Sequence, residues 1–174
     1  MPGITTAPAE LNPWRAGPGK PKEGAQHMDF DEDELLTGAL GDVGGLMGPH
    51  ARRGAEIGAR RLRKDVLEVD LVVSMSLRQA IGRARQVIGE YGVVLKSDDS
   101  GDDSGAQVIG IIGSGVANLN PAVVTVKILA SEWGSRLVIR GAAKEGLIKQ
   151  RAGAKAAKRV AAAIAPEVAD PQAV

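Results

Sequence analysis

At Ser76 the spacing of apolar residues switches from every second position to every third and fourth, and no other boundary in this chain constrains the fold as much. Upstream, Val69, Leu71, Val73 and Met75 alternate with Asp70, Val72 and Ser74, the pattern of a strand with one strongly apolar face. Downstream, Leu77, Ala80, Ile81, Ala84, Val87, Ile88 and Tyr91 recur at helical spacing and form a single stripe. Between them, Ser76-Leu-Arg-Gln79 reads as a capping box. The Ser76 hydroxyl accepts from the third helical amide, and Gln79 reaches back. Gly92 then stops the helix at a position that favours left-handed backbone. The strands on either side of this helix cannot be joined by a hairpin.

The rest of the folded region reads strand, turn, strand. Val93–Ser97 is short, and Ser97–Gly105 (SDDSGDDSG) is a polar hairpin loop. Gln107–Gly113 is a strand, and Gly113–Pro121 (GSGVANLNP) is a turn or bulge. Ala122–Leu129 is a strand rich in β-branched residues, Ser131–Ser135 a tight turn, and Arg136–Ala143 the last strand. A helix from about Leu147 to Ala165 follows, and Pro166 stops it. Its stripe of Gly153, Ala157, Val160 and Ile164 is narrow enough to lie close to a sheet.

The order β-α-β-β-β-β-α predicts an α+β fold: a curved antiparallel sheet of about five strands with two helices on one face. In this it resembles the helix-grip and TATA-binding-protein-like families of small α+β domains. The closing section, RLVIRGAAKEG then QRAGAKAAKRVAAAI, is similar to the end of small bacterial domains of uncharacterised function. The resemblance spans Val66–Ala165, is one of pattern, and imports no activity.

Residues 1–65 read as a largely disordered or weakly helical arm, 66–165 as the domain and 166–174 as a flexible tail. Pro2, Pro8, Pro13, Pro18 and Pro21 interrupt any helix over the first 28 residues. An acidic burst (Asp29, Asp31, Glu32, Asp33, Glu34) precedes Leu35–Gly48, where Leu36, Ala39, Leu40, Val43 and Met47 keep helical spacing. Gly38, Gly41, Gly44, Gly45 and Gly48 each cost a helix about 1 kcal/mol against Ala, so this segment is helical only when packed against something. Pro49 ends it. Residues 51–64 are strongly basic, with Arg52, Arg53, Arg60, Arg61, Arg63 and Lys64 against Glu56 alone.

Strand alternation defines a second face of the sheet. With Val69, Leu71, Val73, Val124, Val126, Ile128, Leu137 and Ile139 turned to the helices, Glu68, Asp70, Val72, Val123, Thr125, Lys127, Leu129, Arg136, Val138 and Arg140 point the other way. Ile109 and Ile111 join them if Val108 and Ile112 face in. Such an aliphatic outer face calls for a cover, either the N-terminal segment or a second copy of the chain, or serves as a concave surface for an apolar ligand with an anionic group.

The chemistry of catalysis is poorly represented. There is no Cys, so disulfides, thiolate metal sites and thiol nucleophiles are excluded. His27 and His50 have no metal-ligand spacing, the aspartates at 98, 99, 102 and 103 lack the order of a calcium loop, and Ser114 sits in no nucleophile elbow. Gly110, Gly113 and Gly115 (GIIGSG) precede no helix and read as a bulge rather than a phosphate cradle. Glu68 and Asp70 share one strand face, and solvated carboxylates are the plainer reading of them. No cofactor or metal is expected. The N-terminus has no signal-peptide pattern, and no apolar run is long enough to cross a membrane as a helix, so a cytoplasmic location is expected.

The 22 Lys and Arg against 21 Asp and Glu give a net charge of +1 that hides a segregation of sign. Arg151, Lys155, Lys158 and Arg159 share one face of the last helix, and no aromatic residue interleaves with them. The expected function is non-enzymatic binding: self-association as a homodimer, a protein partner, or a small amphiphile on the sheet. Lys127, Arg136, Arg140, Arg151, Lys155, Lys158 and Arg159 are the candidate contacts. The alternative is a nucleic-acid-associated protein using the basic helix and arm. A hydrolase or cyclase stands third, because helix-grip folds host many activities.

Overall fold

The Ser76 boundary forms as its residues dictate. In the computed structural model, which describes residues 31–98, 105–114, 119–146 and 150–165, the Ser76 amide donates to Gln79 Oε1 at 3.0 Å and the Gln79 amide to Ser76 Oγ at 3.4 Å. The capping box therefore closes β1 (Arg63–Val73) and opens α3 (Leu77–Tyr91). The preceding elements are α1 (Glu32–Gly45) and α2 (Pro49–Ala59). After α3 come β2 (Gly92–Asp98), β3 (Ala106–Ser114), β4 (Asn120–Ser131), β5 (Gly134–Glu145) and α4 (Ala152–Ile164).

The five strands form one antiparallel sheet in the order β1-β5-β4-β3-β2. β1 and β2 are thus its two edges, and α3 carries the chain from one to the other. The geometry is self-consistent. Four inter-strand gaps of about 4.8 Å make about 19 Å, and fifteen helical residues make about 22 Å. The helix is as long as the sheet is wide.

The phases of β1, β3, β4 and β5 agree with the sequence pattern. Val108, Ile112, Val124, Val126, Ile128, Leu137 and Ile139 are buried under α3 and α4, with Ala80, Ala84, Val87 and Ile88 of α3 and Val160 and Ile164 of α4. α4 lies very close to the sheet. A Cβ on Gly141 would overlap the Gly153 carbonyl oxygen, and one on Gly153 would overlap the Asp65 carbonyl oxygen. Two carboxylates fix the end of this helix. Glu145 Oε1 accepts from the Ala152 amide at 3.1 Å, and Asp65 Oδ2 accepts from the Ala154 amide at 2.9 Å. Both place negative charge where the helix dipole favours it. At the other end Arg83 of α3 donates to the Ala163 carbonyl and ties the two helices together.

Some expectations are corrected. Gly92 is not left-handed; its φ is −175°. It is glycine because it is buried against β3, where a Cβ would overlap the Ile111 carbonyl oxygen. The glycines of β3 make no bulge. β3 keeps an unbroken register with β4 from Ala106 to Ser114, and the irregularity lies on β2, between Val94 and Lys96. Gly110 is small because Ile88 of α3 presses on it. β1 begins at Arg63, α4 begins at Ala152, and Pro49 is the first residue of α2 as well as the stop after α1. Residues 1–30, 99–104, 115–118, 147–149 and 166–174 lie outside the described residues. The expectations of a disordered N-terminus and a flexible tail fall there, with His27, most of the acidic loop and Asn118.

The sheet is covered on its second face as well. α1 lies there, with Leu36 fully buried against Ile109, Val123 and Ala142. Asp31 caps it, its Oδ1 accepting from the Asp33 amide at 2.8 Å. Its helix begins inside the acidic burst rather than after it. The glycines of α1 have two different roles. Gly41 and Gly44 admit α2, whose Glu56 and Ala55 occupy the space that a Cβ would need. Gly38 meets nothing.

Two substitutions test this account by urea denaturation. Gly153→Ala should lose about 3 kcal/mol, because its obstacle is backbone that cannot rotate away. Gly82→Ala, mid-helix in α3 with open space around it, should gain up to about 1 kcal/mol.

Candidate functional site

Most of the charge chemistry of the described chain gathers on the outer sheet face. In the β1–β5 register Glu68 stands opposite Arg140, and Arg140 Nη1 donates to Glu68 Oε1 at 3.0 Å. Asp70 pairs diagonally with Arg136, which donates through both Nε and Nη2. That guanidinium holds the Asp70 carboxyl below the usual carboxylate range. Acid–base work by two carboxyls needs one of them pushed up. Here each is taken by its own arginine, so they are neither a catalytic pair nor simply solvated.

Above these rows sits the first turn of α1. Glu32 accepts from Arg140 Nε at 2.9 Å and from Lys64 Nζ at 3.2 Å. Asp33 is ion-paired with Lys64 through Oδ1 at 2.8 Å and accepts from Lys144 through Oδ2 at 2.7 Å. The Lys144 side chain is only 3% exposed, so Asp33 is its chief compensation. Burial pushes Glu32 up, but the hydrogen bonds from Arg140 and Lys64 outweigh it and leave the carboxyl below its usual range. Hydrogen bonds from Lys144 and Lys64 hold Asp33 low too. In return, Asp33 raises Lys64 and Glu32 raises Arg140, so both cations stay charged at any ordinary pH. Three cations thus converge on two carboxylates over a floor of Ile109, Ile111, Val123 and Ala142.

α1 covers only one end of this face. Toward the β4–β5 turn it leaves Lys127 beside Val138, and Arg136 between Leu129 and Val72. Val72 is 58% exposed and Trp133, in the turn itself, 80%. A separate cleft of about 480 Å³ opens between α1 and α2, lined by Asp31, Asp33, Glu34, Thr37, Glu56 and Arg60. Among the described residues no group of His, Asp or Glu is arranged to hold a metal ion.

The sequence-derived contacts separate into two sets. Lys127, Arg136 and Arg140 lie on the outer face. Arg151, Lys155, Lys158 and Arg159 are exposed on α4, on the opposite side of the sheet. The fold does not bring the sets together. Arg159 has an aromatic neighbour that spacing along one helix could not show, lying 5.5 Å from the Tyr91 ring centre of α3. Lys64, Lys144, Glu32 and Asp33 were missed. Their signal was parity: Lys64 continues the outward set Val66, Glu68, Asp70, and Lys144 continues Arg136, Val138, Arg140.

No protein-family model and no curated protein matches the sequence. Among solved structures, the chain is similar to an uncharacterised protein from Rhizobium leguminosarum, at 12% identity and a TM-score of 0.34, over 60% of this chain and 93% of that one. A protein of unknown function from Staphylococcus aureus is similar at 8% identity and 0.29, over 60% and 95%. The di-domain ARO/CYC StfQ from the steffimycin biosynthetic pathway is similar at 11% and 0.28, over 67% of this chain and 53% of that one. Likeness this low carries no argument, and the α+β fold stands on the chain's own topology. Among the described residues no helix is long and apolar enough to cross a membrane.

The clasp has a defined pH dependence. Glu32 and Asp33 titrate below their ordinary values of 4.5 and 3.8 when α1 is docked. Their contribution is complete above the ordinary values and is lost as pH falls through the lowered ones. Amide-exchange protection of α1, corrected for intrinsic rates, should fall below about pH 4 while that of α3 persists. Glu32→Gln with Asp33→Asn should weaken α1 docking at pH 7 by about 2 kcal/mol. Protection that falls together in α1 and α3 would show that the ion pairs do not hold the helix.

Proposed function

We propose that this chain is a non-catalytic binding domain whose site is the outer sheet face, and that its ligand is an apolar chain ending in a carboxylate or similar anion. One observation carries the reading: Lys64, Arg140 and Lys144 converge over an aliphatic floor and already hold such a group. The occupant here is α1, whose Glu32 and Asp33 supply the anion and whose Leu36 supplies the apolar anchor. Burying Leu36 is worth about 2 kcal/mol, the more exposed pairs of Lys64 and Arg140 add about 0–1 kcal/mol each, and the Lys144–Asp33 pair is partly buried. α1 also carries a helix-breaking Gly38 that packs on nothing. A ligand of the same chemistry has only this modest docking energy to overcome.

Past α1 the face continues in two mixed rows, Lys127–Val138–Asp70 and Leu129–Arg136–Val72. A longer apolar chain extends there. Against catalysis, the fully buried side chains of the helix-covered core cluster are aliphatic, and Glu68 and Asp70 of β1 on the outer face are engaged by arginines. Such a face binds without offering an acid, base or nucleophile poised for reaction.

Calorimetric titration with dodecanoate tests the reading. Wild type should bind weakly, and the Glu32→Gln, Asp33→Asn chain about tenfold or more tightly, since about 2 kcal/mol of competition is removed. Adding Arg140→Ala to that chain should abolish binding. Equal weak binding by wild type and the charge-neutralised chain would defeat the proposal.

A further inference from the structure

The two edges of the sheet are not alike. β2 has seven residues and an irregular register between Val94 and Lys96, which spoils it as a template for another strand. β1 has eleven residues, contains neither proline nor glycine, and pairs with β5 without a break from Arg63 to Val73. None of those devices for blunting an edge is present.

The side chains of β1 are also those of an inner strand left half covered. Leu67, Val69 and Leu71 are only partly buried, whereas Leu137 and Ile139 of the neighbouring β5 are fully buried. On the outer face Val66 is 38% and Val72 58% exposed. Finally, Val66-Leu67-Glu68-Val69-Asp70-Leu71-Val72 reads the same in both directions by residue type. An antiparallel pairing centred on Val69 sets valine on valine and leucine on leucine on both faces. That is the self-complementarity a two-fold interface requires.

We propose that a second copy of this chain pairs with the first along β1, two-fold about Val69, to make one continuous ten-stranded sheet. Val66 then faces Val72 of the other copy, and Leu67 faces Leu71. Glu68 meets Asp70, each already neutralised by Arg140 or Arg136 on its own β5. With the edge strands about 4.8 Å apart, the two α4 helices, each packed over β5 and β1, lie on the same face of the joined sheet. By helical spacing the flank of α4 turned away from α3, which meets it at Arg159 and Ala163, carries Ala154, exposed Lys158, Ala161 and Ala165.

The full chain contains no cysteine, so engineered thiols report cleanly. Val69→Cys should be captured as a disulfide-linked dimer on mild oxidation, and Val94→Cys, on the other edge, should not. A mixture of Val66→Cys and Val72→Cys chains should crosslink as a heterodimer while neither crosslinks alone, which tests the register at exposed positions. Light scattering should report twice the 18.0 kDa chain mass. It should report a single chain for Val72→Lys with unchanged circular dichroism, the dissociation constant rising at least about tenfold. A monomeric wild type at about 100 µM, far above the dissociation constant of a standard-size interface, overturns the proposal. So does a dimer that Val72→Lys leaves intact or that the β1 thiols fail to capture.

Discussion

The contact on which this structure depends is the approach of α4 to the backbone of β5 and β1 through Gly141 and Gly153. It is a steric condition: any side chain at either position would strike a carbonyl group. Because the helix lies so low, Ala157, Val160 and Ile164 fill the space over the sheet without large residues, and Asp65 and Glu145 can reach its first amides. α3 then closes the other half of the same face. The two helices together close that face of the sheet.

The outer face is built differently. Its burial is shallow, and its charges are numerous and matched. Leu36 alone of its helix is wholly enclosed, while Glu32 and Asp33 reach three cations from two strands. Neither contribution dominates: one leucine and a few partly exposed ion pairs are of the same order, a few kcal/mol together. The α1–α2 hairpin is tight within itself, where Gly41 and Gly44 admit α2, and held to the sheet mainly through α1. Glu32 and Asp33 of the acidic burst and the outward cations Lys64, Arg140 and Lys144 of β1 and β5 are two halves of one contact.

The phase of β1, β3, β4 and β5 was legible, because alternation has a period of two and one face is strongly apolar. Val123 with Ile109, and Val124 with Val108, separate to opposite faces as the pattern requires. The capping box was legible because it involves neighbours only. The glycines were not. Gly92 and Gly110 look like turn and bulge formers along the chain, yet both are small because another element occupies the space of a side chain. The clasp was half legible: Arg140 was marked by its face, whereas Lys64 lay beyond the expected start of β1 and Lys144 beyond the expected end of β5.

The sequence by itself determined the order of elements from β1 to α4, the faces of β1, β3, β4 and β5 and the ends of α3, since these follow from residue spacing and from hydrogen bonds between near neighbours. Only the tertiary structure decided that β1 is an edge beside β5, that α1 rather than solvent covers the clasp, and that the α4 cations lie away from Arg136 and Arg140. Those facts depend on which residues distant in sequence meet, and local spacing carries no information about that.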